Sequence, residues 1–331
     1  MFLGIDISKD WFDAALLQGG NPKPAHKRFP NDAKGFEQLV TWLRNRKVAV
    51  PVHACLEATG TYAEALATFL YEQGHTISVV NPAQIYHFVQ TSLSRTKTDK
   101  KDAQQIARFC QLHQPPAWTP LPAPVRVLQA LVRRLDALLD MRTSETNRLA
   151  AGPLASEVVA SLQSVLAFLD KEIAAIKGQI KAHIDSHPDL KRQRDLLVSI
   201  PGIADTSAAA VLAELGEVRQ FTKARQVAAF AGLVPKVRHS GSSVRGRATL
   251  SKRGSSRLRH ALYFPAMTAL RFNPPVRALR ERLRERGKAK MSILGAAMRK
   301  LLHIVFGVLK SGKPFNPNIL SVAAPCPACH A

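Results

Sequence analysis

The chain has 331 residues, 46% of them hydrophobic, and carries 47 Lys and Arg against 24 Asp and Glu for a net charge of +23. That length and apolar content support two or three domains with sizeable cores and exclude a disordered chain. No apolar run reads as long enough to span a bilayer, and the opening Met-Phe-Leu-Gly-Ile-Asp lacks a leader's charged start and cleavage site; the expectation is a soluble, cytoplasmic protein.

The first segment alternates strand and helix signals. Phe2–Ile7 and Trp11–Leu17 read as strands and Lys27–Pro30 as a short third. Ala33–Arg44 is amphipathic, with Phe36, Leu39, Val40 and Leu43 on one face. Val50–Leu56 reads as a buried strand leading to Glu57, Tyr62–Gln73 as a helix stopped by Gly74, and Thr76–Val80 as another strand. Pro82–Thr91 and Asp99–His113 read as helices. Three opening strands followed by helix–strand alternation is the element order of an RNase H-like α/β domain, assigned to residues 1–120. Cys55 and Cys110, in apolar contexts, read as small buried hydrophobes.

A Pro-rich hinge (Pro115, Pro116, Pro120, Pro122, Pro124) separates this segment from heptads. Leu128, Leu131, Leu135 and Leu138 form one run; Leu162, Leu166, Leu169, Ile173, Ile176 and Ile180 form the other; Gly152-Pro153 lies between them. Residues 121–190 therefore read as an antiparallel helical hairpin with a coiled-coil seam. Leu196–Gly216 resembles a helix-hairpin-helix around Pro201-Gly202, with Ala204 where a second turn glycine usually stands; a structural corner is the rival reading. Gln226–Ala231, Ser256–Leu270, Pro275–Arg286 and Ser292–Leu309 read as helices of a basic, mainly helical domain over 191–318. Residues 319–331, with Cys326 and Cys329, read as a disordered tail, since one cysteine pair falls short of a structural zinc site.

Charge is concentrated late. From Arg219 to Lys313 stand 23 Lys and Arg against only Glu281 and Glu285, so nearly the whole excess lies there. Such a segment repels itself unless a polyanion neutralises it. Its Arg residues sit among Gly and Ser without an aromatic-faced amphipathic helix, which favours nucleic acid over a membrane surface.

Four carboxylates stand where a metal site needs them. Asp6 lies inside an apolar strand, where an unpaired charge is costly, and Glu57 ends the other central strand. Asp99 and Asp102, three apart at a helix start, share a face. Together they suit two Mg²⁺ ions of an in-line phosphoryl displacement.

The motifs Gly4-Ile5-Asp6-Ile7-Ser8-Lys9, Glu57-Ala58-Thr59-Gly60-Thr61-Tyr62, Asn81-Pro82 and Lys97-Thr98-Asp99-Lys100-Lys101-Asp102-Ala103 resemble those of the DEDD insertion-sequence transposases. That group includes the Piv-type invertases and the bridge-RNA-guided serine recombinases. The stretch from Arg225, ARQVAAFAGLVPKVRHSGSSVRGRATLSKRGSSRLRHAL, is similar to the family's second domain, so the resemblance spans about residues 2–315. It implies a RuvC-like first domain whose tetrad falls on Asp6, Glu57, Asp99 and Asp102. It also implies Ser240 as nucleophile of a phosphoserine-linked DNA intermediate; chemistry alone does not choose among Ser240, Ser242 and Ser243. Arg238, Arg245, Arg247, Lys252, Arg253, Arg257 and Arg259 are the expected phosphate contacts. The resemblance further implies donor and target DNA, a guiding bridge RNA, and a tetramer built as a dimer of dimers in which the two sites meet between protomers. A proton acceptor at the carboxylates is favoured over His239. The rivals are a metal-dependent RuvC-like nuclease without covalent intermediate and a non-catalytic nucleic-acid binder on an old scaffold.

Overall fold

The computed structural model describes residues 1–18, 24–48, 51–58, 62–91, 98–236, 239–240, 244–245 and 249–320; at 91, 239, 240, 244, 245, 319 and 320 it describes the backbone alone. The chain divides into two compact units, Met1–Pro120 and Leu121–Ala331.

The first unit contains β1 (Phe2–Ile7), β2 (Trp11–Leu17), β3 (Ala25–Pro30), α1 (Ala33–Asn45), β4 (His53–Glu57), α2 (Tyr62–Glu72), β5 (Thr76–Val80), α3 (Pro82–Thr91) and α4 (Asp99–His113). The sheet order is β3-β2-β1-β4-β5. β2 runs antiparallel to β1 and β3, while β4 and β5 continue parallel to β1. β4 starts at His53, later than the sequence suggests. Pro51 has no N–H to give a ladder, the Val52 N–H goes to the His75 ring at 3.4 Å, and the His53 N–H is the first to bond neighbouring backbone, Met1 O at 3.1 Å.

Alternation along the strands sends residues to two faces. Leu3, Ile5, Phe12, Leu16, Ala54 and Leu56 form one core with Phe36, Leu39 and Leu43 of α1 and Leu66 and Leu70 of α2. Cys55 and Val80 pack on the other face with Ile85 of α3 and Ile106, Phe109 and Cys110 of α4. Cys55 and Cys110 are free thiols and fully buried, as expected. The start of the Pro-rich segment is pinned rather than hinged: Trp118 N–H donates to Ile77 O at 2.6 Å, and Ser78 Oγ lies 2.9 Å from the Pro115 and Pro116 carbonyls.

In the second unit α5 (Ala123–Ala150) and α6 (Ser156–Asp185) form the hairpin. It is antiparallel, because Arg142 pairs with Asp170 at 2.6 Å while His183 Nε2 reaches Pro124 O at 2.8 Å. Leu128, Leu135 and Leu138 of the expected seam are buried, Leu131 packs half-buried against the same cluster, and Val132, outside the heptad run, is buried as well. The reason is a second neighbour: α5 also packs on α8 (Asp205–Leu215), where Gln129 Nε2 donates to Ala213 O (3.0 Å) and Arg133 pairs with Glu214 (3.0 Å). The hairpin thus shares one apolar cluster with α7 (Pro188–Val198), α8, α9 (Ala224–Phe230), α10 (Ser256–Phe272), α11 (Pro274–Glu285) and α12 (Lys290–Ser311).

The turn between α7 and α8 places Gly202 at φ +108°, and a Cβ there would lie 2.8 Å from Pro265 O of α10. The glycine of the helix-hairpin-helix-like turn is therefore needed for packing. α12, unlike the expectation from sequence, is long and apolar enough to cross a membrane, yet 61% of that apolar window is buried inside the unit. It is a core helix. Residues 321–331 of the expected tail, with Cys326 and Cys329, lie outside the described residues.

Candidate active site

Three local features bring the four expected carboxylates together. The parallel register that pairs Ile5 with Leu56 carries Asp6 and Glu57 to neighbouring positions at the ends of β1 and β4. α4 then lies on the Asp6 face of β1 because Gly4 leaves room for it. A Cβ at Gly4 would sit 2.2 Å from both Ala103 O and Ala107 N. Finally, Thr98 takes the capping role at the start of α4, its Oγ1 accepting from Lys101 N at 3.3 Å. Asp99 and Asp102 in the first turn are released from capping and share one face.

The electrostatics register the gathering. Asp6 is pushed up to about 7, first by burial and then by the charges of Asp102, Asp99, Glu57 and Asp13. A carboxyl among four other carboxylates is costly to ionise until a cation arrives.

Asp13, Arg28 and His26 belong to this neighbourhood and were not read from the sequence. Asp13 faces Asp6 directly across β1 and β2 and is only 2% exposed. It is held by His26 Nε2 at 2.6 Å and by Arg28, whose Nε donates to Asp13 Oδ2 at 2.9 Å. Arg28 Nη2 also donates to Asp99 Oδ2 at 2.6 Å. The Asp13 and Asp99 carboxylates beside Arg28 raise its already high pKa, so it is a permanent cation at the edge of an acidic cluster.

Among the described residues no three His, Cys, Asp or Glu side chains are close enough as they stand to hold a metal ion. The donor chemistry nonetheless fits one. Four carboxylates form a hard oxygen set of the kind that suits Mg²⁺ or Mn²⁺, and their mutual repulsion at Asp6 is what a divalent cation would relieve.

In the second unit, Ser240 lies in a hairpin of β7 (His239–Ser240) and β8 (Val244–Arg245), where Ser240 pairs with Val244 and His239 with Arg245. This hairpin follows β6 (Pro235–Lys236), which pairs with β9 (Thr249–Leu250). Arg238, Arg247, Ser242 and Ser243 lie outside the described residues, and the side chains of Ser240 and Arg245 are likewise not described. Lys252, Arg253 and Arg257 are exposed beyond it. Arg259 is turned inward: its Nη1 donates to Ala231 O (2.9 Å), Gly254 O (3.3 Å) and Ser255 O (3.3 Å), tying the loop to the start of α10. That anchoring role was invisible in the sequence, because its carbonyl partner Ala231 stands 28 residues earlier.

Comparison with known proteins adds the following. Residues 3–152 match a family model described as a transposase, and residues 194–281 match one described as the transposase IS116/IS110/IS902 family. A pilin gene-inverting protein of Moraxella bovis is 31% identical over 320 residues, covering 96% of this chain and 98% of its own. Its counterpart in Moraxella lacunata is also 31% identical over the same length. The transposase for insertion sequence element IS1111A of Coxiella burnetii is 28% identical over 300 residues, covering 81% of this chain and 78% of its own.

Proposed function

The chain belongs to the IS116/IS110/IS902 family of transposases, enzymes that act on DNA, and from that premise we propose that it is a site-specific recombinase of a mobile element. In this reading it cuts and rejoins DNA through a phosphoserine intermediate at Ser240. The observation that carries the proposal is the gathering of Asp102, Asp99 and Glu57 around Asp6 at the ends of two adjacent parallel strands. The sheet order, with its one antiparallel second strand, supports a RuvC-like assignment of the first unit. The relatives named for inverting a gene support rearrangement over simple hydrolysis.

The chemistry follows from the residues. Ser240 Oγ bonds to the scissile phosphorus as the bond to the departing strand's oxygen breaks. The serine proton passes to a base at the carboxylate site, and the departing oxygen takes up a proton to become a hydroxyl. One phosphodiester has been exchanged for another ester, so a hydroxyl of a second strand can reverse the step and rejoin DNA without a nucleotide triphosphate. Lys252, Arg253 and Arg257, with Arg238, Arg245 and Arg247 of the same basic stretch of sequence, neutralise phosphate charge around the serine. Mg²⁺ held by Asp6, Glu57, Asp99 and Asp102 would supply the positive charge that steadies the reacting phosphoryl oxygens.

Ser240 and the carboxylates must meet on one phosphate, and we assign them to different protomers of a tetramer, a dimer of dimers with the α5–α6 hairpin at a protomer contact. A bridge RNA that pairs with donor and target DNA completes the proposal; the basic stretch from Arg219 to Lys313 has charge enough for both polyanions.

The test is Ser240→Ala with labelled substrate DNA. Wild-type protein traps DNA covalently on a denaturing gel, and the variant traps none and rejoins none. Unchanged cleavage by the variant, with free DNA ends throughout, would reassign the enzyme as a metal-dependent nuclease.

A further inference from the structure

Asp6, Asp13 and Arg28 stand in one row across three strands, since Asp6 pairs with Asp13 and Asp13 with Arg28. Arg28 is the outermost of the three, and its guanidinium bridges inward and upward. It contacts buried Asp13 through Nε at 2.9 Å and Nη2 at 2.8 Å, and reaches Asp99 in the first turn of α4 at 2.6 Å. The inner end is fixed, because Asp13 also receives His26 Nε2 at 2.6 Å. The guanidinium lies over the Trp11 ring, 5.4 Å from its centroid, which narrows its swing.

Stability does not account for the outer contact. Arg28 and Asp99 expose 47% and 57% of their side chains. Ion pairs that wet contribute only about 0–1 kcal/mol. Nor is Asp99 needed as a helix cap, since Thr98 serves. The contact does, however, engage a single carboxylate oxygen of Asp99, Oδ2, and a carboxylate has a second oxygen able to bind another cation.

We infer that Arg28 is a positioning residue of the carboxylate site: anchored on Asp13, it holds Asp99 by one oxygen so that the other is presented to a divalent cation. This rests on the proposed reading of the quartet as a cation site. The guanidinium meets two carboxylates on different elements at once, with Nε and Nη2 on Asp13 and Nη2 on Asp99, so its planar shape fixes the angle between them. A lysine ammonium keeps the charge without that geometry. Outer partners that orient metal ligands typically matter 10–100-fold in affinity (about that range across metalloproteins).

The experiment is Mn²⁺ and Mg²⁺ titration by calorimetry of the full chain without DNA, comparing wild type, Arg28→Gln, Arg28→Lys and Asp6→Asn. We expect Arg28→Gln to weaken cation binding by at least about tenfold, Arg28→Lys to recover only part of it, and Asp6→Asn to abolish it. If the single Gln variant leaves buried Asp13 too poorly paired to fold, the Asp13→Asn/Arg28→Gln double variant carries the same expectation. Binding by Arg28→Gln as tight as wild type, or tighter, overturns the inference and makes Arg28 a bystander or a competing cation. If wild type binds no cation, or Asp6→Asn binds as wild type does, the quartet reading itself fails and takes the inference with it.

Discussion

Replacing Asp6 by Asn should stabilise the cation-free protein while abolishing DNA cleavage. Asp6 moves from 3.8 to about 7 on folding, chiefly through burial and the four acidic neighbours. A shift of roughly three units corresponds to about 4 kcal/mol at about 1.4 kcal/mol per unit. Asp6 keeps contact with solvent, so screening reduces this to about 2 kcal/mol. The sign is fixed by linkage. Below about pH 4 both states hold the proton and Asp6 contributes nothing. Between 4 and 7 the unfolded chain releases a proton that the folded chain keeps, so stability falls as pH rises, and above 7 the full penalty remains. The variant should therefore gain about 2 kcal/mol over wild type at pH 8 in EDTA and almost nothing near pH 4. All three tryptophans (Trp11, Trp42, Trp118) lie in the first unit, so urea unfolding followed by Trp fluorescence reports that unit selectively. Mg²⁺ at 100-fold above its dissociation constant should then raise wild type by about 2.7 kcal/mol and leave the variant unmoved, reversing the order. A variant no more stable than wild type at pH 8 in EDTA, or a gain equal at pH 4 and pH 8, refutes the reasoning.

Gly4→Ala should damage the site through packing alone. Its Cβ meets backbone of α4 at 2.2 Å, so the helix must lift, with a cost of about 1–3 kcal/mol in stability and a far larger loss of cleavage; equal wild-type cleavage would show that α4 tolerates displacement. The Cys55 thiol is pushed well above the ordinary thiol range by its hydrogen bond with Cys110 and by burial. Peptides containing Cys55 and Cys110 should stay unlabelled by a thiol reagent at pH 8 until the chain is unfolded, as mass spectrometry of timed digests would report; labelling of the native protein within minutes would contradict that burial.

Much of the first unit was legible because its signals are local. The apolar runs bounding β1, β2 and β5 ended where the strands end, and a carboxylate inside Leu3-Gly4-Ile5-Asp6-Ile7 marked its own exception to burial. Asp13 obeys the same rule in Trp11-Phe12-Asp13-Ala14-Ala15-Leu16-Leu17 and went unread, since the continuous apolar residues after it obscure the strand alternation. Arg28 offered no local sign at all. Its place depends on the β2–β3 register and on α4, whose first residue is 71 positions away. Gly4 was visible as part of a motif but not as a contact, because only the seating of α4 gives it one. The hairpin helices were legible by period, whereas the burial of Val132 outside that period goes with the packing of α5 on α8, which heptad spacing does not contain.

The two units close on separate apolar interiors, one formed by the sheet and its helices, the other by the α5–α12 bundle. A substitution confined to one interior therefore leaves the packing of the other in place. Under the tetramer proposed above, Asp6→Asn chains made beside normal ones would enter mixed assemblies. In that case the lesion would behave as dominant even where good copies of the gene persist.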